Sequence, residues 1–207
     1  MKILAGALAL CFVTCAADVA VADTYKYVFT KSSKAKDFKT IRTKWVVRAR
    51  AYRPLSSPTG YSATLLRNKK FSNVSVATMI VSDPYHYEGG PILRVKRSGD
   101  AISGYGGLVL GNNGIFSVYI NRYDRYSLDT IGGRLTNLCF AYFTADKART
   151  IEFVAEKKSL KLYYDGKMVC STEDSTYTSG DAGLMTTTTP TVDDPKVADF
   201  SRVSFSD

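Results

Sequence analysis

The chain has 207 residues, with 28 Lys and Arg against 19 Asp and Glu, a formal net charge of +9 and a single histidine. One histidine and no second cysteine pair in the mature chain argue against a zinc centre. Beyond the amino terminus no apolar run approaches the roughly 20 residues of a membrane-spanning helix, so no membrane span is expected.

Residues 1–22 read as an export signal. Lys2 gives a positive start, residues 3–13 form an apolar core too short to cross a bilayer, and Ala20-Val21-Ala22 supplies the small-x-small pattern before a cleavage point. The mature chain is expected to run from residue 23 to residue 207 as one domain, secreted or periplasmic. A lipidated Cys15 is the rival reading, but Phe12 and Thr14 fit the lipoprotein pattern poorly. Cys11 and Cys15 leave with the signal. The remaining Cys139 and Cys170 suggest one disulfide in an oxidising compartment, with two buried free thiols as the alternative.

Positive charge gathers early in the mature chain. From Lys26 to Lys70 the basic residues include Lys31, Lys34, Lys36, Lys39, Arg42, Arg48 and Arg53, and only Asp37 opposes them. Such an end attracts an acidic polysaccharide, a lipid headgroup layer or nucleic acid, or simply keeps the surface solvated. No nucleic-acid motif is visible, so nucleic acid is not an expected partner.

No window repeats apolar residues at helical spacing for three turns. Short β-rich runs bounded by Gly, Pro, Asn, Asp and Ser recur instead, at 25–30, 45–51, 61–66, 74–81, 91–95, 106–110 and 115–121, then at 139–143, 150–155, 160–165, 168–171, 182–187 and 198–205. Asp165-Gly166 and Asn113-Gly114 carry the positive φ angles of tight hairpins. About a dozen strands at this spacing predict an all-β fold, a sandwich or barrel.

The order of motifs in the last sixty or so residues carries a resemblance. Residues 151–155 precede the 160–167 hairpin run, then come Asp174, Gly180-Asp181-Ala182-Gly183-Leu184 and a closing strand from Ala198 to Phe205. This resembles the concanavalin-A-like lectin/glucanase superfamily, most nearly its laminin-G-like modules and 3-keto-disaccharide hydrolase-like domains. Upstream, residues 71–76, Gly90-Pro91-Ile92-Leu93-Arg94 and Gly104-Tyr105 fit the same pattern more loosely. The resemblance implies a two-sheet antiparallel jelly-roll sandwich with one convex and one concave sheet. It implies carbohydrate binding, with a glycoside-cleaving domain and a protein-binding adhesive module as alternatives. The paired carboxylates of the superfamily's glucanases, a Glu-x-Asp-x-x-Glu cluster on one strand, are missing here, so no catalytic residue is assigned.

Candidate ligand-binding residues fall into two groups. Tyr85, His86, Tyr87 and Glu88 make a polar-aromatic stretch that reads as a loop at the sandwich rim. Arg94, Tyr105, Tyr119 and Asn121 are grouped by strand alternation on the concave face, where aromatic rings stack on sugars and polar groups bond to hydroxyls. Phe116, Val118 and Ile120 take the opposite, core side. Residues 122–126 read as a polar turn. A structural calcium near the chain end would draw on Asp83, Asp193, Asp194 or Asp199, with Asp199 the preferred ligand. The expected partner is a glycan, neutral or anionic, with a protein as the alternative.

Overall fold

The computed structural model describes residues 24–55, 60–81, 86–112, 115–144, 150–187 and 198–207. The expected export signal lies outside the described residues, as do Asp83, Tyr85, Asp193 and Asp194.

Alternation and turn chemistry produce strands β1 (Thr24–Val28), β2 (Phe38–Ile41), β3 (Trp45–Arg48), β4 (Ala51–Pro54), β5 (Tyr61–Leu66), β6 (Val74–Ile80), β7 (His86–Ser98) and β8 (Ala101–Asn112). They continue as β9 (Ile115–Ser127), β10 (Gly132–Thr144), β11 (Thr150–Glu156), β12 (Ser159–Tyr164), β13 (Lys167–Glu173), β14 (Asp181–Thr187) and β15 (Phe200–Ser206). One sheet has the order β13-β12-β11-β6-β15-β4-β3, with β1 also on β15, and the other β10-β9-β8-β7-β14-β5-β2. Neighbouring strands are antiparallel, as in the adjacent β6–β15 and β7–β14 pairs that join distant parts of the chain. The fold is a two-sheet antiparallel β-sandwich of the jelly-roll type.

The core between the sheets follows period-two alternation. Val74, Val76, Thr78 and Ile80 of β6 are buried, with Ile151 and Phe153 of β11 and Leu160 and Leu162 of β12. From the other sheet Phe116, Val118 and Ile120 of β9 and Leu184 of β14 meet them, as their alternation predicts. Each such large side chain removed from water stabilises the fold by roughly 1.5–3 kcal/mol before entropy is subtracted. Trp45 stacks on Phe200 at 6.0 Å, and its indole N–H donates to Ser62 Oγ at 2.8 Å. Cys139 of β10 and Cys170 of β13 form the disulfide, with Cα atoms 5.9 Å apart. The bridge ties an outer strand of one sheet to an outer strand of the other. Closing a loop of 31 residues contributes about 3–4 kcal/mol in the chain-entropy model.

Three expectations about element boundaries change. The run 45–51 is a hairpin, β3 to β4, because Ala49 and Arg50 take φ of 51° and 63° and turn the chain in two residues. The stretch around His86 to Gly90 is the start of β7, a strand of 13 residues, and so not a rim loop. Residues 122–126 continue β9, which also runs for 13 residues.

Those long strands share a corner. Arg94 (φ 52°) on β7, Gly104 (φ 153°) on β8, Arg125 (φ 50°) on β9 and Gly133 (φ 119°) on β10 lie at or beside the bulges of adjacent strands. Bulges add twist and bend a sheet. A Cβ on Gly104 would sit 3.0 Å from the Arg94 carbonyl oxygen, and one on Gly133 would sit 2.7 Å from that of Arg125. Beyond this line the β9–β10 end crosses the sheet's outer face. The Tyr61 N–H donates to Leu128 O at 2.9 Å, Arg42 Nη1 donates to the same oxygen at 2.7 Å, and Arg42 pairs with Asp129.

Candidate functional site

The corner turns the outer face of the seven-stranded sheet into a trough. Tyr61 on β5 and Tyr123 on β9 are four strand spacings apart, about 19 Å on a flat sheet. Their rings nevertheless lie 6.5 Å apart, edge to face. The half of the trough under the β9–β10 end is filled by a second apolar cluster that includes Ile41, Tyr61, Ile92, Tyr123, Tyr126 and Leu128.

Glu88 sits at the trough's centre. Register places it on β7 beside Thr187 of β14 and Leu110 of β8. Tyr61 O–H donates to Glu88 Oε1 at 3.0 Å from one wall, and Tyr119 O–H donates to the same oxygen from the other. Burial pushes the Glu88 carboxyl above its ordinary range, even though both phenols lower it. Burial and the Glu88 charge push the Tyr119 phenol upward in turn. Asn121 and Tyr123 line the same face, where both are buried and the Asn121 side chain stands against the Tyr123 hydroxyl.

The other half of the trough is open. Phe140 and Tyr142 of β10 are 47% and 71% exposed, with ring centroids 4.5 Å apart at 89°. Register puts Phe140 opposite Tyr119, and Tyr142 opposite Ser117. Ile115 of β9, also on this side by alternation, is 56% exposed. The open half thus presents an aromatic and apolar platform edged by Ser117, Asn137 and the Tyr119 phenol.

The sequence-predicted residues divide by strand face. Glu88, Tyr119 and Asn121 come together in the trough. Tyr87 does not, because it alternates with Glu88 and packs inward against Phe116 at 6.3 Å. The backbone of His86 pairs with Asn112 at the start of β7. Alternation alone would put Arg94 on the face of Ile92, but the bulge after Leu93 breaks that alternation. Its side chain is buried and donates to Ser72 O at 2.8 Å and Tyr177 O at 3.1 Å. Tyr105 faces inward as well. Its hydroxyl donates to Asp174 Oδ1 at 2.7 Å and accepts from the Tyr177 N–H at 2.9 Å. Burial would raise the Asp174 carboxyl, but donors from Tyr105, Thr176 and Arg122 outweigh it and hold the group at about 2. Arg94 and Tyr105 are therefore props under the 174–180 segment. The residues that sequence reasoning missed are Tyr61, Tyr126, Phe140 and Tyr142.

Asp199 Oδ2 pairs with Arg53 at 2.7 Å. A carboxylate facing a guanidinium does not by itself fit a hard cation, and among the described residues no group of three His, Cys, Asp or Glu converges.

No family model matches the chain, and no curated protein matches it in sequence. Solved structures do match in fold. The carbohydrate binding module CBM66 from Bacillus subtilis is 17% identical, with a TM-score of 0.58 over 82% of this chain and 91% of that one. The Bacillus licheniformis β-glucanase is 11% identical, with a TM-score of 0.59 over 88% and 97%. The carbohydrate recognition domain of Emp46p, in a metal-free form, is 12% identical, with a TM-score of 0.57 over 85% and 91%.

Glu88 is the carboxylate that the tyrosines of the trough hold. Glycoside hydrolysis of the usual kind uses two, flanking the scissile bond. A single carboxylate held by two phenols is suited to fixing ring positions and accepting a hydroxyl proton. Its raised pKa has a testable consequence. The folded state binds the Glu88 proton more tightly than the unfolded chain, so this group lowers stability as pH rises above the ordinary carboxylate range. Glu88→Gln is expected to raise Tm by roughly 2–4 °C at pH about 8 and to give no gain at pH about 4. Thermal unfolding of both proteins at the two pH values checks this, and an equal shift at both would refute the assignment.

Proposed function

We propose that this is an exported carbohydrate-binding domain that holds a glycan in the open half of the trough. The perpendicular Phe140–Tyr142 pair carries the reading, because two adjacent exposed rings on the trough's face match the apolar faces of sugar rings. Ser117 and Asn137 stand beside the rings by register to bond hydroxyls. The fold is shared with a carbohydrate binding module and a carbohydrate recognition domain, which supports the reading. The disulfide, and a sequence start that reads as a signal, support export.

A glycan array identifies the ligand, and calorimetry with Phe140→Ala and Tyr142→Ala tests the platform. Losing a ring contact of about 100 Å² is worth about 2.5 kcal/mol, so each variant is expected to bind at least tenfold more weakly. Both rings are exposed, so Tm is expected to stay near that of the parent. Full glycan affinity in the double variant would sink the proposal, as would an array without a hit. Among the described residues no strand pairs with the outer edge of β10, which favours a protein partner pairing along that edge as the second reading.

A further inference from the structure

We propose a second ligand site, on the opposite face of the sandwich, that binds an anionic group of a glycan such as a sulfate ester or a uronate carboxylate. It is independent of the trough. Strand β1 lies antiparallel on β15, with Lys26 opposite Ser204 and Val28 opposite Arg202. On the other side of β15 lies β6, with Ala77 opposite Ser204. Outward-facing Ala77 and Ser204 are small, while Lys26 and Arg202 rise beside them. The result is a groove of about 400 Å³, lined by Lys26, Val28, Ala77, Thr150, Arg202 and Ser204 among others. That volume is typical of a small-molecule site and differs from the flat patch that a bilayer surface meets.

The groove's chemistry selects an anion. Two cations and two hydroxyls face it. Arg202 Nη2 donates to Thr150 Oγ1 at 3.2 Å, which orients the guanidinium while leaving its other donors for an oxyanion. Val28, 58% exposed, gives an apolar wall for a ring face. The carboxylate nearest in register is Glu152, opposite Ala77, and it accepts a hydrogen bond from Ser75 in the neighbouring row.

Several other early basic residues are already engaged. Arg42 pairs with Asp129, Arg53 with Asp199 and Lys70 with Asp181, and Lys69 lies over the Tyr25 ring. Those four cations are thus partly neutralised, whereas Lys26 and Arg202 converge on one groove.

The test is calorimetric titration with a heparin-derived hexasaccharide at about 50 and about 300 mM salt, where screening lengths differ about 2.5-fold. Inorganic sulfate and phosphatidylserine vesicles serve as separate probes. Binding is expected for the parent, about tenfold weaker for Lys26→Gln/Arg202→Gln. It should be lost in Ala77→Trp, which fills the floor. Lys34→Gln/Lys36→Gln, with the same change in net charge, is expected to retain it, as is Phe140→Ala/Tyr142→Ala. The last variant separates this site from the trough. Both glutamine pairs change exposed side chains, so they report even if Ala77→Trp does not fold. Equal losses in the two glutamine pairs would mean diffuse attraction and overturn the proposal. So would full binding by Lys26→Gln/Arg202→Gln. Vesicle binding that depends on Arg202 without hexasaccharide binding would also overturn it, in favour of a lipid surface.

Discussion

Gly183→Ala is expected to leave little or no folded protein. Gly183 lies in β14, between β5 and β7, opposite Leu65 on one side and Ile92 on the other. A Cβ there would stand 1.9 Å from Thr64 O and 2.8 Å from Leu65 Cα. Both are backbone atoms of a neighbouring strand, so no rotamer change relieves the contact. The strand pair must separate, at the cost of sheet hydrogen bonds and the packing of Leu184. A loss above about 4 kcal/mol is expected, a large part of the stability of a domain this size. Soluble yield and thermal unfolding by circular dichroism read the effect. Gly166→Asn is the control. Gly166 has φ of 78° and open space around its Cβ position, so that variant should lose no more than about 1 kcal/mol. A Gly183→Ala protein melting within a few degrees of the parent would refute the argument.

The same geometry explains why the Gly180-to-Leu184 motif was a usable fold signal. A Cβ on Gly180 would sit 2.4 Å from the Arg94 carbonyl carbon, so both glycines mark places where backbones touch. The jelly roll was legible because such close approaches, the Asp165-Gly166 turn and the alternation of β6, β11 and β12 are local signals. The corner was not. It depends on positive φ at Arg94 and Arg125, residue types that carry no turn signature, and it needs four strands in register before it appears. Without it, alternation carried Arg94 onto the wrong side of the sheet, and 122–126 looked like a turn.

The trough was half legible for the same reason. Phe116, Val118 and Ile120 mark the core side of β9, so Tyr119 and Asn121 had to face outward. Phe140 and Tyr142 had an equally good signal, since Cys139 points inward to its disulfide and its neighbours alternate with it. Reading that cysteine only as a cross-link hid the platform beside it. Tyr61 had no such signal, because its partner Glu88 is 27 residues away and meets it only when the sheet curls.

Arg94→Met is expected to unfasten the corner. The Arg94 side chain is 1% exposed, and burial lowers its pKa. Its donors reach Ser72 O and Tyr177 O, which belong to two segments that flank the β7 bulge. Methionine fills much of the same volume but leaves both carbonyl oxygens without these donors, at about 1–3 kcal/mol each for a buried acceptor. Removing a buried charge offsets part of this, so a net loss of about 2–4 kcal/mol is expected. Arg94→Lys keeps the charge but cannot span both oxygens with one planar fork, so it should recover only part of the loss. Because Tyr177 also bonds to Tyr105 and Asp124, the loosening should spread along 174–180. Amide hydrogen exchange locates it. Protection in Arg94→Met should fall at residues 71–73 and 174–180 and persist in β6 and β11. If Tm and the protection of both segments stay at parental levels, Arg94 is not the prop that its hydrogen bonds describe.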